Sequence, residues 1–394
     1  MAALDPGEKH TLFTSWARSQ GIEINGVAPA QFVDRGMGIV AAKDLKKGDC
    51  LVHVPTHALI SVAQDSIYKM TFPTKVSVHA RIATYFSLLS QEKESPYSLW
   101  QDVWPSEEDF RDIMPIYWAK ELQELLPPAA KTMLSTQKSN LEKDYQTIHP
   151  LCPTITRSTF TYHWITTNTR VFYWLYPNLP AHSPRLPKKS RANLTADDCY
   201  AMCPFMDYFN HASTGCIPTS DAKGYSVHAD RDYKAGEEVC VTYGPHSNDF
   251  LLVEYGFILV ANECDSVPLD HLVVPRLSAA QVETLKGDGF YGNYTLSPDS
   301  TPPVCHRTHG VARLLTLPER RYSAFVGGTD EGSADQGKVD AFLVGLLVEF
   351  EREIIEILDE VEGQGEKAEV LVRRWKQVQG IVRRGVKRLS GEIV

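Results

Sequence analysis

Residues 204–211 read ProPheMetAspTyrPheAsnHis, so a polar Asn210-His211 pair stands at the end of an apolar run. Buried polar side chains must find partners. An amide beside an imidazole can hydrogen-bond the adenine or the amino-acid part of a nucleotide-like cofactor, partly through main-chain groups. A satisfied structural turn would use the same two residues. Further on, ThrTyrGlyPro at 242–245 ends a strand at Tyr243, and a second TyrGly follows at Tyr255. With a turn between them, two tyrosines can converge on one pocket, or each can simply pack at the end of its element.

Other chemistries are mimicked and fail. GlySerAlaAspGlnGlyLys at 332–338 looks like a phosphate-binding loop, but Val339 stands where Ser or Thr is needed and no strand precedes it. No GxGxxG follows a strand, which leaves a Rossmann-type nucleotide site unsupported. The eight cysteines are scattered, with no CxxC pair and no Cys/His cluster at zinc spacing, so no metal site is proposed and the thiols read as reduced.

The elements that must position these residues follow from periodicity. An amphipathic helix near 9–20 opens the chain, and short strands are expected at 38–43, 50–55 and 58–61. LysLysGlyAsp at 46–49 and LysAlaGlyGlu at 234–237 each follow an Asp-hydrophobic dipeptide and precede a strand, so one turn chemistry is used twice, with glycine supplying the positive φ. Helical periodicity then runs from 62 to 176, over HARIATYFSLL, EEDFRDIMPIYWAKELQELL, AAKTMLSTQKSNLEKDYQ and STFTYHWITTNTRVFYWLY, followed by an exposed Pro- and Lys-rich loop at 177–193. Strand character resumes at GYSVHADRDY and EEVCVTYG, and the β-rich domain closes near 265. The remainder is mainly helical and ends in two long helices, about 338–362 and 367–389. The first is rich in acidic and the second in basic residues, which either dock a partner or pair with each other.

A chain of 394 residues, 43% hydrophobic, can bury one large core and a second, smaller one. A net charge of -9 argues against a grip on nucleic acid, which needs clustered Lys and Arg, and suits a basic protein partner. The start has no basic n-region with an apolar core, and no apolar run reaches membrane-spanning length, so the expected location is the cytoplasm or nucleus, with no membrane partner.

Three segments, RGMGIVAAKDLKKGD (35–49), PFMDYFNHASTGC (204–216) and YGPHSNDFLLVEYGF (243–257), resemble in order and content the SET-domain methyltransferases. The branch they most resemble is that of the Rubisco large-subunit lysine methyltransferase, in which a helical insert splits the SET domain and a helical substrate-binding domain follows. The resemblance implies an α+β protein: a SET β-fold over 1–265 with a helical insert at about 62–195, then a mostly helical domain over 266–394. It implies S-adenosylmethionine as cofactor, contacted by Arg35, Gly36, Met37 and Gly38 largely through the main chain, by Asp207 and by the Asn210-His211 pair. It also brings Arg170 to the cofactor carboxylate. Tyr243 corresponds to the active-site tyrosine, beside the cofactor and the target nitrogen, and Tyr255 to a second tyrosine lining the lysine channel. The implied reaction is methylation of a lysine on a non-histone protein, such as a ribosomal or translation protein. The alternatives are a non-catalytic SET-like binding module and an acceptor that is histidine or a small metabolite. One departure bears on specificity: Met206-Asp207 is followed by Tyr-Phe, where the family often has Ala-Asp before Asn-His.

Overall fold

The computed structural model describes residues 3–392 apart from 34, 74, 298–299 and 363–365. The fold is α+β, with small antiparallel sheets among many helices. It resolves into two compact units, Met1–Arg111 with Ser135–Pro245, and Asp112–Leu134 with His246–Val394.

In the first unit, one antiparallel sheet runs in the order Ala3–Leu4, Val27–Phe32, Gly36–Ala41, Glu238–Val239. A second runs Glu23–Ile24, Cys50–Pro55, Gly224–His228, Thr219–Asp221. Apolar residues of these strands, including Ile39, Leu51, Val52, Val54, Val227 and Val239, fill one core with Phe13, Met202 and Phe205. Burial of such side chains contributes on the order of 1.5–3 kcal/mol each.

The repeated turn does more than occur twice: the two copies clasp each other. Leu45 N–H donates to the Tyr233 carbonyl at 2.9 Å, and Tyr233 N–H returns a bond to the Leu45 carbonyl at 3.1 Å. Asp232 accepts from Lys47 N–H at 2.9 Å and Lys46 Nζ at 2.8 Å, while Asp44 accepts from Ala235 N–H at 3.0 Å and Lys234 Nζ at 2.8 Å. Each aspartate thus caps the other's turn, and the glycines Gly48 (φ 88°) and Gly236 (φ 90°) take the left-handed conformation that the turn demands.

Several sequence expectations shift. The segment 58–61 is not a strand: Thr56–Ala58 is a 3-10 turn, and Ile60 makes a single bridge to Met202. The helical stretch EEDFRDIMPIYWAKELQELL breaks at Pro115 into Glu107–Ile113, a 3-10 turn Pro115–Tyr117 and Lys120–Glu124, because proline has no N–H for a continuing helix. The last insert helix stops at Arg170, and Val171–Tyr173 pairs instead as a strand with Tyr200–Met202. The run ValPheTyr is β-branched and aromatic, which suits a pleated surface better than a helix. The loop at 177–193 is only partly exposed. Arg191 gathers the carbonyls of Leu175, Tyr176 and Leu179 at 2.9, 3.0 and 2.7 Å, and Leu186 is buried.

The second unit takes in residues 246–265 and part of the insert, so the compact units do not part at 265/266. The reason is a buried polar cluster on the helix Glu366–Leu389. Arg374 Nε donates to Asp249 at 2.7 Å and its Nη1 to Asp265 at 2.6 Å, while Gln377 accepts from Asn248 and donates to the Leu259 carbonyl. Trp375 sits in the same core with Trp118, Leu122 and Leu126 from the insert, and its indole N–H donates to the Leu125 carbonyl. The acidic helix Gln336–Val361 and the basic helix Glu366–Leu389 are joined by the ion pair Arg383–Glu351; Lys376 also pairs with Glu362, just past the acidic helix's end. Such largely exposed pairs add little, up to about 1 kcal/mol each. The stretch that mimics a phosphate loop forms a 3-10 turn at Ser333–Asp335, leading into the acidic helix.

Buried histidines give the fold an acid sensitivity. Burial holds His163 and His309 at about 4, against about 6.5 in an unfolded chain. Between those values the unfolded chain binds protons that the folded chain does not. Stability therefore falls as pH drops through this window, by about 1.4 kcal/mol per pH unit for each histidine. Asp207 works the opposite way: burial raises it to about 6, so between that value and the ordinary carboxylate value of about 4 the folded chain keeps a proton that the unfolded chain releases. His163→Phe should lose less stability than the wild type between pH 7 and pH 5, as read from urea midpoints. Equal losses would mean that His163 is not held neutral by the fold.

Candidate functional site

The first-unit candidates gather around residues 205–211. The helix Glu8–Ser19 anchors this segment: Phe13 packs edge-on against Tyr208 with ring centres 5.5 Å apart, and His10 Nδ1 lies 2.7 Å from the Tyr208 hydroxyl. Phe205, fully buried, takes φ 73°, an unfavourable backbone for a bulky residue that the surrounding packing holds. A 3-10 turn at Met206–Tyr208 follows, then extended Phe209, and then the strand His211–Cys216.

Segment 240–242 is seated against both ends of that strand. Val241 N–H donates to the Asn210 carbonyl at 2.9 Å, Cys216 N–H to the Cys240 carbonyl at 2.9 Å, and Thr242 N–H to the Cys216 carbonyl at 2.9 Å. The crossing is tight enough that a Cβ on Gly215 would stand 2.8 Å from the Val241 carbonyl carbon.

Tyr243 emerges directly from this crossing. Its N–H donates to His211 Nδ1 at 3.1 Å, and the two rings stack 5.0 Å apart at 24°. His211 Nδ1 is therefore an acceptor, which puts the proton of the neutral ring on Nε2. The Tyr243 hydroxyl donates to the Phe209 carbonyl at 2.7 Å. With its one proton so placed, the hydroxyl meets any further group as an acceptor.

The glycine-rich entry closes on the same point. Gly36 has φ 71°, and a Cβ on Gly38 would lie 2.6 Å from Asn210 Nδ2 and 3.0 Å from the Phe32 ring. Asn210 Nδ2 donates to Glu238 Oε1 at 2.9 Å, and Arg35 pairs with Glu238 Oε2 at 2.8 Å. Met37 continues the strand between the two glycines, opposite Gln31. The neighbouring strand Glu238–Val239 pairs only with Val40 and Ile39, so on that edge the ladder ends before Gly38.

Arg170, the last residue of its helix, has Nε 3.4 Å from Asp207 Oδ2, and that oxygen also accepts from Trp100 Nε1 at 3.0 Å. The Asp207 carboxyl is buried, which raises it to about 6 against the opposing pull of Arg170. Arg170 Nε is buried and its contact with Asp207 is too long for a good hydrogen bond, so the guanidinium retains capacity for another anionic oxygen.

Tyr255 belongs to the second unit. It ends the helix Asn248–Tyr255, which is closed by Gly256 at φ 80°, and its ring centre lies 6.3 Å from Phe250 and 6.2 Å from Phe257. The structure thus brings Arg35, Gly36, Met37, Gly38, Arg170, Asp207, Asn210, His211 and Tyr243 into one unit and sets Tyr255 in the other. Sequence reasoning missed Glu238 and Trp100. Glu238 carried a signal, a carboxylate opening an otherwise apolar strand; Trp100, in the insert, carried none.

The residues fit a cofactor bearing a carboxylate and N–H groups: a half-buried Arg170 whose buried Nε lacks a partner, an Asn210 amide, and a main chain at Gly36 where a Cβ would meet open space. Among the described residues no group of His, Cys, Asp and Glu is placed to hold a metal ion.

The SET-domain family model matches residues 36–244. The chain belongs to the SET-domain family of S-adenosylmethionine-dependent methyltransferases. Among similar proteins, the ribosomal lysine N-methyltransferase set11 of Schizosaccharomyces pombe is 24% identical over 381 residues, covering 92% of this chain and 93% of its own. SET domain-containing protein 4 of Mus musculus is 26% identical, covering 79% of this chain and 73% of its own. The human actin-histidine N-methyltransferase is 26% identical over 77% of this chain, which spans 52% of that protein. The crystal structure of the SET domain of LSMT bound to lysine and AdoHcy superposes with a TM-score of 0.61 at 15% identity, covering 98% of this chain and 93% of the other. Rubisco LSMT bound to AdoMet gives 0.60 at 16% identity, over 98% and 94%.

Proposed function

We propose that this protein transfers a methyl group from S-adenosylmethionine to the side-chain amine of a lysine on a non-histone protein, with a ribosomal or translation protein as the acceptor, in the cytoplasm or nucleus. The observation that carries the reading is the Tyr243 hydroxyl, committed as a donor to the Phe209 carbonyl and thereby turned as an acceptor toward an incoming N–H. The acceptor class rests on set11, a ribosomal lysine methyltransferase that aligns with nearly the whole chain.

The bound cofactor supplies a sulfonium methyl open to in-line displacement. Gly36, Met37 and Gly38 would hold it by main-chain groups, Asn210 by its amide, His211 beside it, and Arg170 by its fork toward a carboxylate. Asp207 keeps Arg170 turned into the site. Tyr243 orients the acceptor amine, and positioning of this kind is the main catalytic contribution. Lysine carries a proton at neutral pH, with a pKa near about 10.4; burial in an apolar, aromatic channel and a nearby positive charge both favour its loss. The helical C-terminal region would dock the acceptor protein.

A second reading replaces lysine by histidine, because actin-histidine N-methyltransferases are also among the similar proteins. Both are tested by calorimetry with S-adenosylmethionine and S-adenosylhomocysteine, followed by labelled methyl transfer to ribosomal and whole-cell protein and amino-acid analysis of the product. Labelled methyl-lysine supports the proposal, and labelled methyl-histidine replaces it with the second reading. Cofactor binding without transfer to any protein leaves a binding module. Tyr243→Phe should lower the transfer rate at least about tenfold, or roughly 1.4 kcal/mol, while cofactor affinity stays within about threefold. An unchanged rate would remove Tyr243 from the mechanism.

A further inference from the structure

We propose that Glu238 is a positioning residue that sets which way round the Asn210 carboxamide faces the cofactor; the inference rests on the methyltransferase reading above. Glu238 opens the strand beside Gly36–Ala41, and its side chain is 14% exposed. One carboxylate oxygen accepts from Asn210 Nδ2 at 2.9 Å, and the other accepts from Arg35 at 2.8 Å. It is therefore bonded both to the residue that leads into the glycine-rich entry and to the amide that this entry packs against.

The orientation of an asparagine amide is decided by its partners, since its two ends have the same shape and opposite hydrogen-bonding character. A carboxylate accepts and cannot donate, so the edge of Asn210 that faces Glu238 must be its NH2. The same nitrogen fills the space that a Cβ on Gly38 would take, 2.6 Å from that position, which leaves the amide little room to swing aside. Oδ1 is then presented on the other edge, as an acceptor. Without Glu238 nothing in this contact distinguishes the two orientations, and a flipped amide would oppose a donor to the ligand's donor.

Glu238→Gln tests this with little change of shape. Glutamine has one acceptor oxygen, and the cationic Arg35 competes for it; the remaining NH2 then faces the Asn210 NH2, and the amide is driven to flip. Cofactor affinity, measured by calorimetry with S-adenosylmethionine and S-adenosylhomocysteine, should fall about tenfold or more, with a melting curve close to wild type. The readout that a general structural role would not reproduce is a double-mutant cycle. If Glu238 acts through Asn210, Glu238→Gln combined with Asn210→Ala should bind within about threefold of Asn210→Ala alone. Adding Arg35→Ala to Glu238→Gln should also recover affinity, because the glutamine oxygen can then turn to Asn210. Wild-type affinity in Glu238→Gln, or losses that multiply in the double variant, would overturn the assignment of Glu238 alone. A wild-type chain that binds neither cofactor would instead overturn the methyltransferase reading, and the assignment of Glu238 with it.

Discussion

Gly215→Ala should abolish most methyl transfer, by about a hundredfold or more, and lower the melting temperature as well. The added methyl would meet the Val241 carbonyl carbon at 2.8 Å and the Cys240 carbonyl oxygen and carbon at 2.9 and 3.1 Å. All three are main-chain atoms, so no side-chain rotation relieves the clash. Overpacking of this kind costs about 1–3 kcal/mol, and the strain falls on the segment that places Tyr243. Val241 is bonded to the Asn210 carbonyl, and Tyr243 stacks on His211, so a shift of 240–242 moves Asn210, His211 and Tyr243 together. Misplacement of a reacting group by about 1 Å is enough for a hundredfold loss. The contrast is Gly345→Ala, within the helix Gln336–Val361, where a Cβ meets open space. There alanine should be neutral or stabilising by up to about 1 kcal/mol. Thermal melts and single-turnover transfer on both variants check the pair. A Gly215→Ala enzyme at wild-type rate would show that the crossing does not position Tyr243.

Arg374→Ala is expected to destabilise the protein by about 3–5 kcal/mol. The Arg374 side chain is 0% exposed, and the carboxylates it bridges, Asp249 and Asp265, are 3% and 8% exposed. Removing the guanidinium leaves two buried negative charges facing each other, which is the costly way to break a buried pair. Lysine should recover only part of the loss, because one ammonium cannot reproduce the fork that reaches both carboxylates. Asp249 lies in the helix that ends at Tyr255, so the variant should also loosen that helix, and urea midpoints together with hydrogen exchange across 248–255 report both effects. An unchanged midpoint would mean that water satisfies the two aspartates.

Much of this architecture could be read from residue types. The strands at 38–43 and 50–55, the opening helix and the two closing helices announce themselves by period, and the two Asp-hydrophobic-Lys-x-Gly turns by their chemistry. The candidate-site segments stood out through a polar pair in an apolar run and through the resemblance of three motifs taken together. What stayed hidden depends on contacts between residues far apart in the chain. Nothing local says that Asp44 caps the turn of Asp232, that Glu238 holds Asn210, or that Trp100 bonds Asp207. The expected division at 265/266 followed the end of strand character, whereas the compact units follow Arg374, whose partners lie more than a hundred residues upstream. The helix that was expected to run to 176 stops at Arg170 because the next residues find a strand partner at 200–202, a tertiary preference that periodicity does not record.

The reciprocal clasp of the two turns also dictates an order of events during synthesis. Asp44 and Lys234 are separated by 190 residues, and Lys46 and Asp232 by 186. Closing such a loop is entropically slow, and contacts of this span delay folding more than local ones do. Tyr243 follows the second turn, and its segment seats against Asn210 and Cys216. A nascent chain therefore cannot seat Tyr243 until residues near 243 have left the ribosome, whereas the main-chain hydrogen bonds inside the insert helices are local and free to form earlier; the packing of the insert on Asp207 and Trp375 comes later.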